Sequence, residues 1–222
     1  MTFLKYSKNV YSQNGEDGII EELFKRLEIH SGYLCEFGAW DGVGLSNTFN
    51  VYEHNKNFMC ILIESNKEYY ESLLQKLEHV ENKICLNKFI RPEPDHQDSL
   101  DNILLDLKIE ELDKDFALLS IDVDSCDYEI WKGLTRYRPK VVVIEVNSSY
   151  PPNERVYPCT PSGASAGIVA DLAKEKGYKI ICHTGNLIFV VDELFDMLGV
   201  EEMSLDEVFQ WSWVGIDDRY TF

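Results

Sequence analysis

Seven short apolar runs, YLCEFGA, NFMCILIE, ENKICLN, FALLSIDV, PKVVVIEV, GYKIICH and NLIFVV, recur along the sequence. They are rich in Val, Ile, Leu and Phe and of strand length, which predicts buried β-strands. Between most of them lie helical patterns, over 15–27, 45–54, 67–77, 99–107, 128–134 and 164–176. Alternation of this kind predicts an α/β fold: a Rossmann-like, doubly wound, mostly parallel seven-stranded sheet. Only Thr184, Gly185 and Asn186 or so separate the last two runs. That is too short for a crossover helix, so the sheet ends in an antiparallel hairpin.

No repeat, low-complexity tract or Pro/Gly linker divides the 222 residues, which predicts a single domain over 1–222. With 45% hydrophobic and 12% aromatic residues the chain can fill a full core. The formal net charge of −18 argues against nucleic-acid partners, because phosphate contacts need clustered Lys and Arg. The opening MTFLKYSKNVYSQNGEDG lacks the pattern of a signal peptide, and no stretch approaches the roughly 18 apolar residues of a membrane span. The expectation is a soluble, cytoplasmic chain with no membrane span. Six cysteines stand without a C-x-x-C or a His at ligand spacing. Cys35, Cys60, Cys85 and Cys182 fall inside strand-like runs and read as reduced, buried thiols rather than disulfides or zinc ligands.

Chemistry concentrates where predicted strands end. Glu36-Phe-Gly-Ala-Trp-Asp-Gly42 follows the first strand, and Gly38 and Gly42 permit a tight turn with close approach to a ligand. Glu36 and Asp41 add acceptors for a cationic or hydroxylated ligand, and their charge disfavours a pyrophosphate. Glu64, closing the second strand, occupies the position where nucleotide folds bind ribose hydroxyls. Together these predict a nucleoside-like cofactor without a phosphate-rich tail, and S-adenosylmethionine suits them: the carboxylates its ammonium and sulfonium, Glu64 its ribose. Two proline-bearing loops, 87–98 and 147–162, also follow strand ends and are candidate walls of the same site.

Three acids, Asp122, Asp124 and Asp127, crowd the end of the fourth run, and one helix cap explains only one of them. The next strand brings Glu145 and Asn147 to the same edge. Converging carboxylate and amide oxygens are hard ligands suited to Mg²⁺ or Mn²⁺, with Asp122, Glu145 and Asn147 as the candidate set. The competing reading needs no metal: Asp122 bonds backbone groups, and Glu145 or Asn147 binds substrate directly.

From YSQNGEDGII through EFGAWDG, LSNT, LIES, SLDNIL, LLSIDVDSCDYEIWKGL and VVVIEVN to GNLIFVV, most of the chain resembles the class I S-adenosylmethionine-dependent methyltransferases. Within them it is similar to the FkbM-like O-methyltransferases, most specifically in IDVDSCDYEIWKGL and PKVVVIEVN. The resemblance implies a cofactor site at Glu36, Gly38, Asp41, Gly42, Asn47, Glu64 and Ser65. It also implies an N-terminal cap segment over 1–30, where Gln13, Asn14, Gly15, Glu16 and Asp17 form a polar turn. The pattern is similar, too, to metal-dependent sugar O-methyltransferases, in which an Asp-x-Asp joins a metal ligand to a catalytic base. On that resemblance Asp122 matches the ligand and Asp124 the base. The sequence departs from those patterns at Asp124-Ser125, where the family has an acid followed by glycine, and at Glu145 and Asn147, which Val146 separates.

The implied activity is methyl transfer to a sugar or glycan hydroxyl. Its competitors are a metal-free O- or N-methyltransferase and a non-catalytic nucleoside-binding module. Ser46, Asn47 and Thr48 offer hydroxyl and amide groups either to the cofactor's amino-acid end or to a helix cap. His96 and His183 are candidates to approach substrate as neutral bases. The segment 204–222, with Trp211, Trp213, Tyr220 and Phe222, predicts docking on the domain or on a second copy, making a homo-oligomer.

Overall fold

The computed structural model describes residues 2–156 and 162–210. All seven apolar runs are strands of one sheet: β1 (Gly32–Phe37), β2 (Phe58–Glu64), β3 (Lys83–Asn87), β4 (Phe116–Ile121), β5 (Val141–Glu145), β6 (Tyr178–His183) and β7 (Asn186–Val191). Their order is β3-β2-β1-β4-β5-β7-β6. The four pairings among β1 to β5 are parallel, and β7 is antiparallel to both β5 and β6. Thr184 and Gly185 alone join the hairpin, with Gly185 at φ 96°. The chain runs outward from β1 to β3 and returns beside β1 as β4, so the order reverses between β1 and β4. In such sheets the crevice at the carboxyl ends of those two strands is where a ligand sits.

Period-two alternation sends successive strand residues to opposite faces. Leu34, Cys60, Leu62, Val141, Val143, Ile188 and Val190 pack with α1 (Glu16–Arg26), α2 (Phe49–Tyr52) and α3 (Lys67–Lys76). Cys35, Ile61, Ile63, Leu119, Val142, Ile144, Leu187 and Phe189 pack the other way. They meet α4 (Leu100–Asp106), α6 (Asp127–Gly133) and α7 (Ala166–Glu175), with Trp131 of α6 wholly buried. Two helices start on side-chain caps: Asn66 Oδ1 accepts Glu68 N–H and Tyr69 N–H, and Ser99 Oγ accepts Asn102 N–H.

The helix expected over 45–54 shrinks to the single turn of α2, because Leu45 is left-handed (φ 58°) and Ser46, Asn47 and Thr48 are bound elsewhere. Three further one-turn helices, α5 (Leu112–Asp115), α8 (Asp192–Phe195) and α9 (Leu205–Val208), and a 3₁₀ turn over Phe3–Tyr6 were not expected. Cys35, Cys60, Cys85 and Cys182 are free thiols, and burial pushes the pKa of each upward. Cys126, which the sequence reading did not assign, is disulfide-bonded. Among the described residues no helix is long and apolar enough to cross a membrane. The aromatic positions Trp211, Trp213, Tyr220 and Phe222 lie outside the described residues.

Candidate functional site

A cavity of about 770 Å³ opens at the carboxyl ends of β1, β2, β4 and β5. Glu36, Gly38, Asn47, Glu64 and Ser65 line one side of it, and Asp122, Asp124 and Glu145 the other. Gln13 and Asn14 reach it from the N-terminal segment, and Gly185 and Asn186 from the hairpin turn. Its rim carries exposed apolar side chains, Trp40, Leu45, Tyr69 and Phe89.

The β1 turn is built around Glu36. Its Oε2 accepts Ser46 Oγ–H and Thr48 Oγ1–H, both at 2.6 Å, and its Oε1 accepts Asn47 N–H at 2.8 Å. Burial pushes the pKa of this acid up, against the lowering effect of those three bonds. Asn47 in turn donates from Nδ2 to Ser120 Oγ at 3.1 Å, tying the turn to β4. Glu64 Oε2 accepts Trp40 N–H (2.8 Å) and Oε1 accepts Asn66 N–H (2.7 Å), which fixes the carboxylate against the glycine turn. Each oxygen keeps a second lone pair for a hydroxyl donor.

Gly38 stands at φ 74°, and a Cβ there would lie 1.5 Å from the carbonyl oxygen of Asp122. The glycine therefore lets β1 and β4 close on each other. Beyond that contact the chain turns through Asp124, itself left-handed at φ 60°, a conformation costly for most side chains and tolerated by Asp. Asp127 holds the turn by accepting Val123 N–H at 2.8 Å and Ser125 N–H at 3.1 Å. Burial pushes this carboxyl up to about 6. The result brings oxygens of Asp122, Asp124 and Glu145 within 4.8 Å of one another. Opposite ligands of a small divalent cation stand about 4.2 Å apart, so this all-carboxylate trio could hold Mg²⁺ or Mn²⁺ once its oxygens draw closer.

No family model matches the sequence, and no curated protein matches it. In shape the chain is similar to a putative caffeoyl-CoA O-methyltransferase from Staphylococcus aureus, at 14% identity and a TM-score of 0.52 over 84% of this chain and 86% of that one. It is also similar to the CurJ carbon methyltransferase, at 9% identity and a TM-score of 0.51 over 78% of this chain. There the match spans about half of the other protein, 52%. The fold is that of Rossmann-like methyltransferases.

On that frame the structure separates the sequence's candidates. Glu36, Gly38, Asn47, Glu64 and Ser65 line the cavity, whereas Asp41 and Gly42 are not among its lining residues. Asp41 accepts Val43 N–H and Gly44 N–H and pairs with Lys76. Burial raises its pKa, but those bonds outweigh the effect and hold it below the usual range. Gly42, at φ 75°, packs on Leu77 and Leu73 of the α3 region. Asn147 is likewise not a lining residue: its Oδ1 accepts Ser149 N–H at 2.9 Å and its Nδ2 donates to the Ser162 carbonyl at 2.6 Å. The candidate trio is thus Asp122, Asp124 and Glu145, without the amide.

Asn14 does not cap α1, whose N-cap is Gly15 at φ 98°. The buried Glu16 instead accepts Asn14 N–H, Thr184 Oγ1–H and Asn186 Nδ2–H, fastening the N-terminal turn to the hairpin. Asp17 Oδ2 gathers the N–H groups of Val10, Tyr11 and Ser12 at 2.7–2.8 Å. His96 spends Nδ1 on Asp98 N–H and is not among the lining residues. His183 is fully buried behind Ser148, and burial alone pushes its pKa down to about 4. Ser148, which does line the cavity, carried no sequence signal of its own.

Proposed function

We propose that this chain is an S-adenosylmethionine-dependent O-methyltransferase of the FkbM-like kind, acting on a sugar or glycan hydroxyl with the help of a divalent cation. The observation that carries the reading is the convergence of Asp122, Asp124 and Glu145 at one end of a cavity whose other end holds Glu64 beside a glycine turn. A nucleoside-binding module would have use for the second group but not for the first.

The cofactor, when bound, supplies an electrophilic methyl on a sulfonium whose charge disappears on transfer. Glu64 accepts the ribose hydroxyls, and the turn from Gly38 to Asn47, braced by Glu36, positions the rest of the nucleoside and amino-acid portions. Asp122 and Glu145 would hold the divalent cation, which would lower the cost of an alkoxide-like acceptor oxygen. Asp124 takes the acceptor's proton at a carboxylate oxygen, a role for which its place in the trio, facing the cavity, suits it. The acid-lined walls disfavour polyanionic ligands, so the reading includes no nucleic-acid partner.

The test is turnover with S-adenosylmethionine against a panel of free and nucleotide-linked sugars, product mass being read before and after chelation. A methylated sugar that disappears with the metal supports the reading. Transfer to an amine, or transfer to a hydroxyl that survives exhaustive chelation, replaces it with a metal-free O- or N-methyltransferase.

A further inference from the structure

The buried His183 is not a bystander to the cavity, although it does not line it. Gln210 N–H donates to its Nδ1 at 2.9 Å. A backbone N–H can only donate, so Nδ1 must present a lone pair. Burial keeps the ring neutral, and a neutral imidazole with a bare Nδ1 carries its proton on Nε2. That Nε2 lies 2.8 Å from Ser148 Oγ. Its proton therefore occupies a lone pair of the hydroxyl, and the hydroxyl's own proton must point elsewhere. Phe209 is stacked on the ring at 4.5 Å between centroids and 8° between planes and braces its plane. Ser148 lines the cavity wall, three residues beyond Glu145, and the cavity offers an open direction for that proton.

We infer that Ser148 is an acceptor-binding residue that donates its hydroxyl proton to an oxygen of the substrate, and that His183 and Gln210 position it by fixing the imidazole tautomer. The substrate role rests on the methyl-transfer reading; the orientation of the hydroxyl does not. The carboxylates of Glu36, Glu64, Asp122, Asp124 and Glu145 can only accept while ionised. A neutral donor among them selects a substrate that offers a lone pair beside the hydroxyl to be methylated, as a sugar's neighbouring hydroxyl or ring oxygen does. It also assigns the C-terminal segment a part in the site: α9 delivers Phe209 and Gln210 to the imidazole.

Two measurements test this on the full chain. Nitrogen-15 spectra of the imidazole should show the Nε2–H tautomer of His183 in the wild type at neutral pH; an Nδ1–H tautomer or an imidazolium overturns the inference. Steady-state kinetics with methyl α-D-glucopyranoside as acceptor, at saturating S-adenosylmethionine, should show Ser148→Ala raising KM tenfold or more with kcat within threefold. Affinity for S-adenosylhomocysteine should stay unchanged, and Ser148→Thr, which keeps the hydroxyl, should recover KM to within threefold. An unchanged KM in Ser148→Ala, or equal damage in both variants, overturns the substrate role. If the wild type binds no S-adenosylhomocysteine, the methyl-transfer reading fails by itself, while the tautomer still decides how Ser148 is oriented.

Discussion

Asp122 and Asp124 stand two residues apart, face one cavity and reach each other's oxygens within 4.8 Å, yet the proposed mechanism gives them different work. Substitution separates the two. Asp122→Asn should raise the metal concentration needed for half-maximal activity, whereas Asp124→Asn should lower kcat by about 10²–10⁴-fold with metal affinity nearly unchanged. Identical behaviour of the two variants in a metal titration would show that both are ligands. His183 provides a second residue-scale prediction. Burial depresses its pKa from 6.5 to about 4, so between those values the unfolded chain binds the extra proton. Stability is then fully present above pH 6.5 and falls as pH drops toward 4, by about 3 kcal/mol if the site is fully shielded. Melting temperatures of wild type and His183→Gln should diverge over that window, and parallel curves would refute it. The acids that line the cavity were legible in the sequence because strand ends project their last side chains toward one edge. Asn147, expected beside them, has its amide engaged instead in a turn on Ser149, a preference of Asn in loops that competes with ligation. Ser148 could not be read at all, since its role depends on His183 and Gln210, far along the chain.

At the scale of elements, the junction of β1 and β4 is the most constrained point of the fold. Gly38 was expected to leave room for a ligand, and it lines the cavity, but the closest neighbour of a Cβ would be the backbone of Asp122. Gly38→Ala should consequently destabilise the protein by more than about 3 kcal/mol, through combined left-handed strain and overpacking, and displace Asp122. Chemical denaturation gives the first quantity, and a variant within 1 kcal/mol of wild type would contradict the reading. The seven strands were legible because period and apolarity coincide in each. The one-turn helices α5, α8 and α9 were not, because four residues cannot display a 3.6-residue period. Helix α2 was over-extended for the opposite reason: 45–54 has helical composition, but Glu36 captures Ser46, Asn47 and Thr48 first. Three buried hydrogen bonds to a carboxylate outweigh the weak propensity of one turn.

For the whole molecule, the sheet order explains why so distant segments share one cavity: the reversal between β1 and β4 gathers their carboxyl ends, and the N-terminal turn and hairpin close over them through Glu16. The net charge of −18 opposes association with phosphate chains, so retention on a nucleic-acid column should be absent at ordinary salt; salt-dependent retention would contradict it. Whether this cavity binds S-adenosylmethionine with Glu64 on the ribose is decided by calorimetric titration of the cofactor into wild type and Glu64→Gln. One site per chain is expected, with affinity weaker by about tenfold in the variant. No saturable heat in the wild type up to millimolar cofactor, or equal affinity in the two proteins, would contradict it.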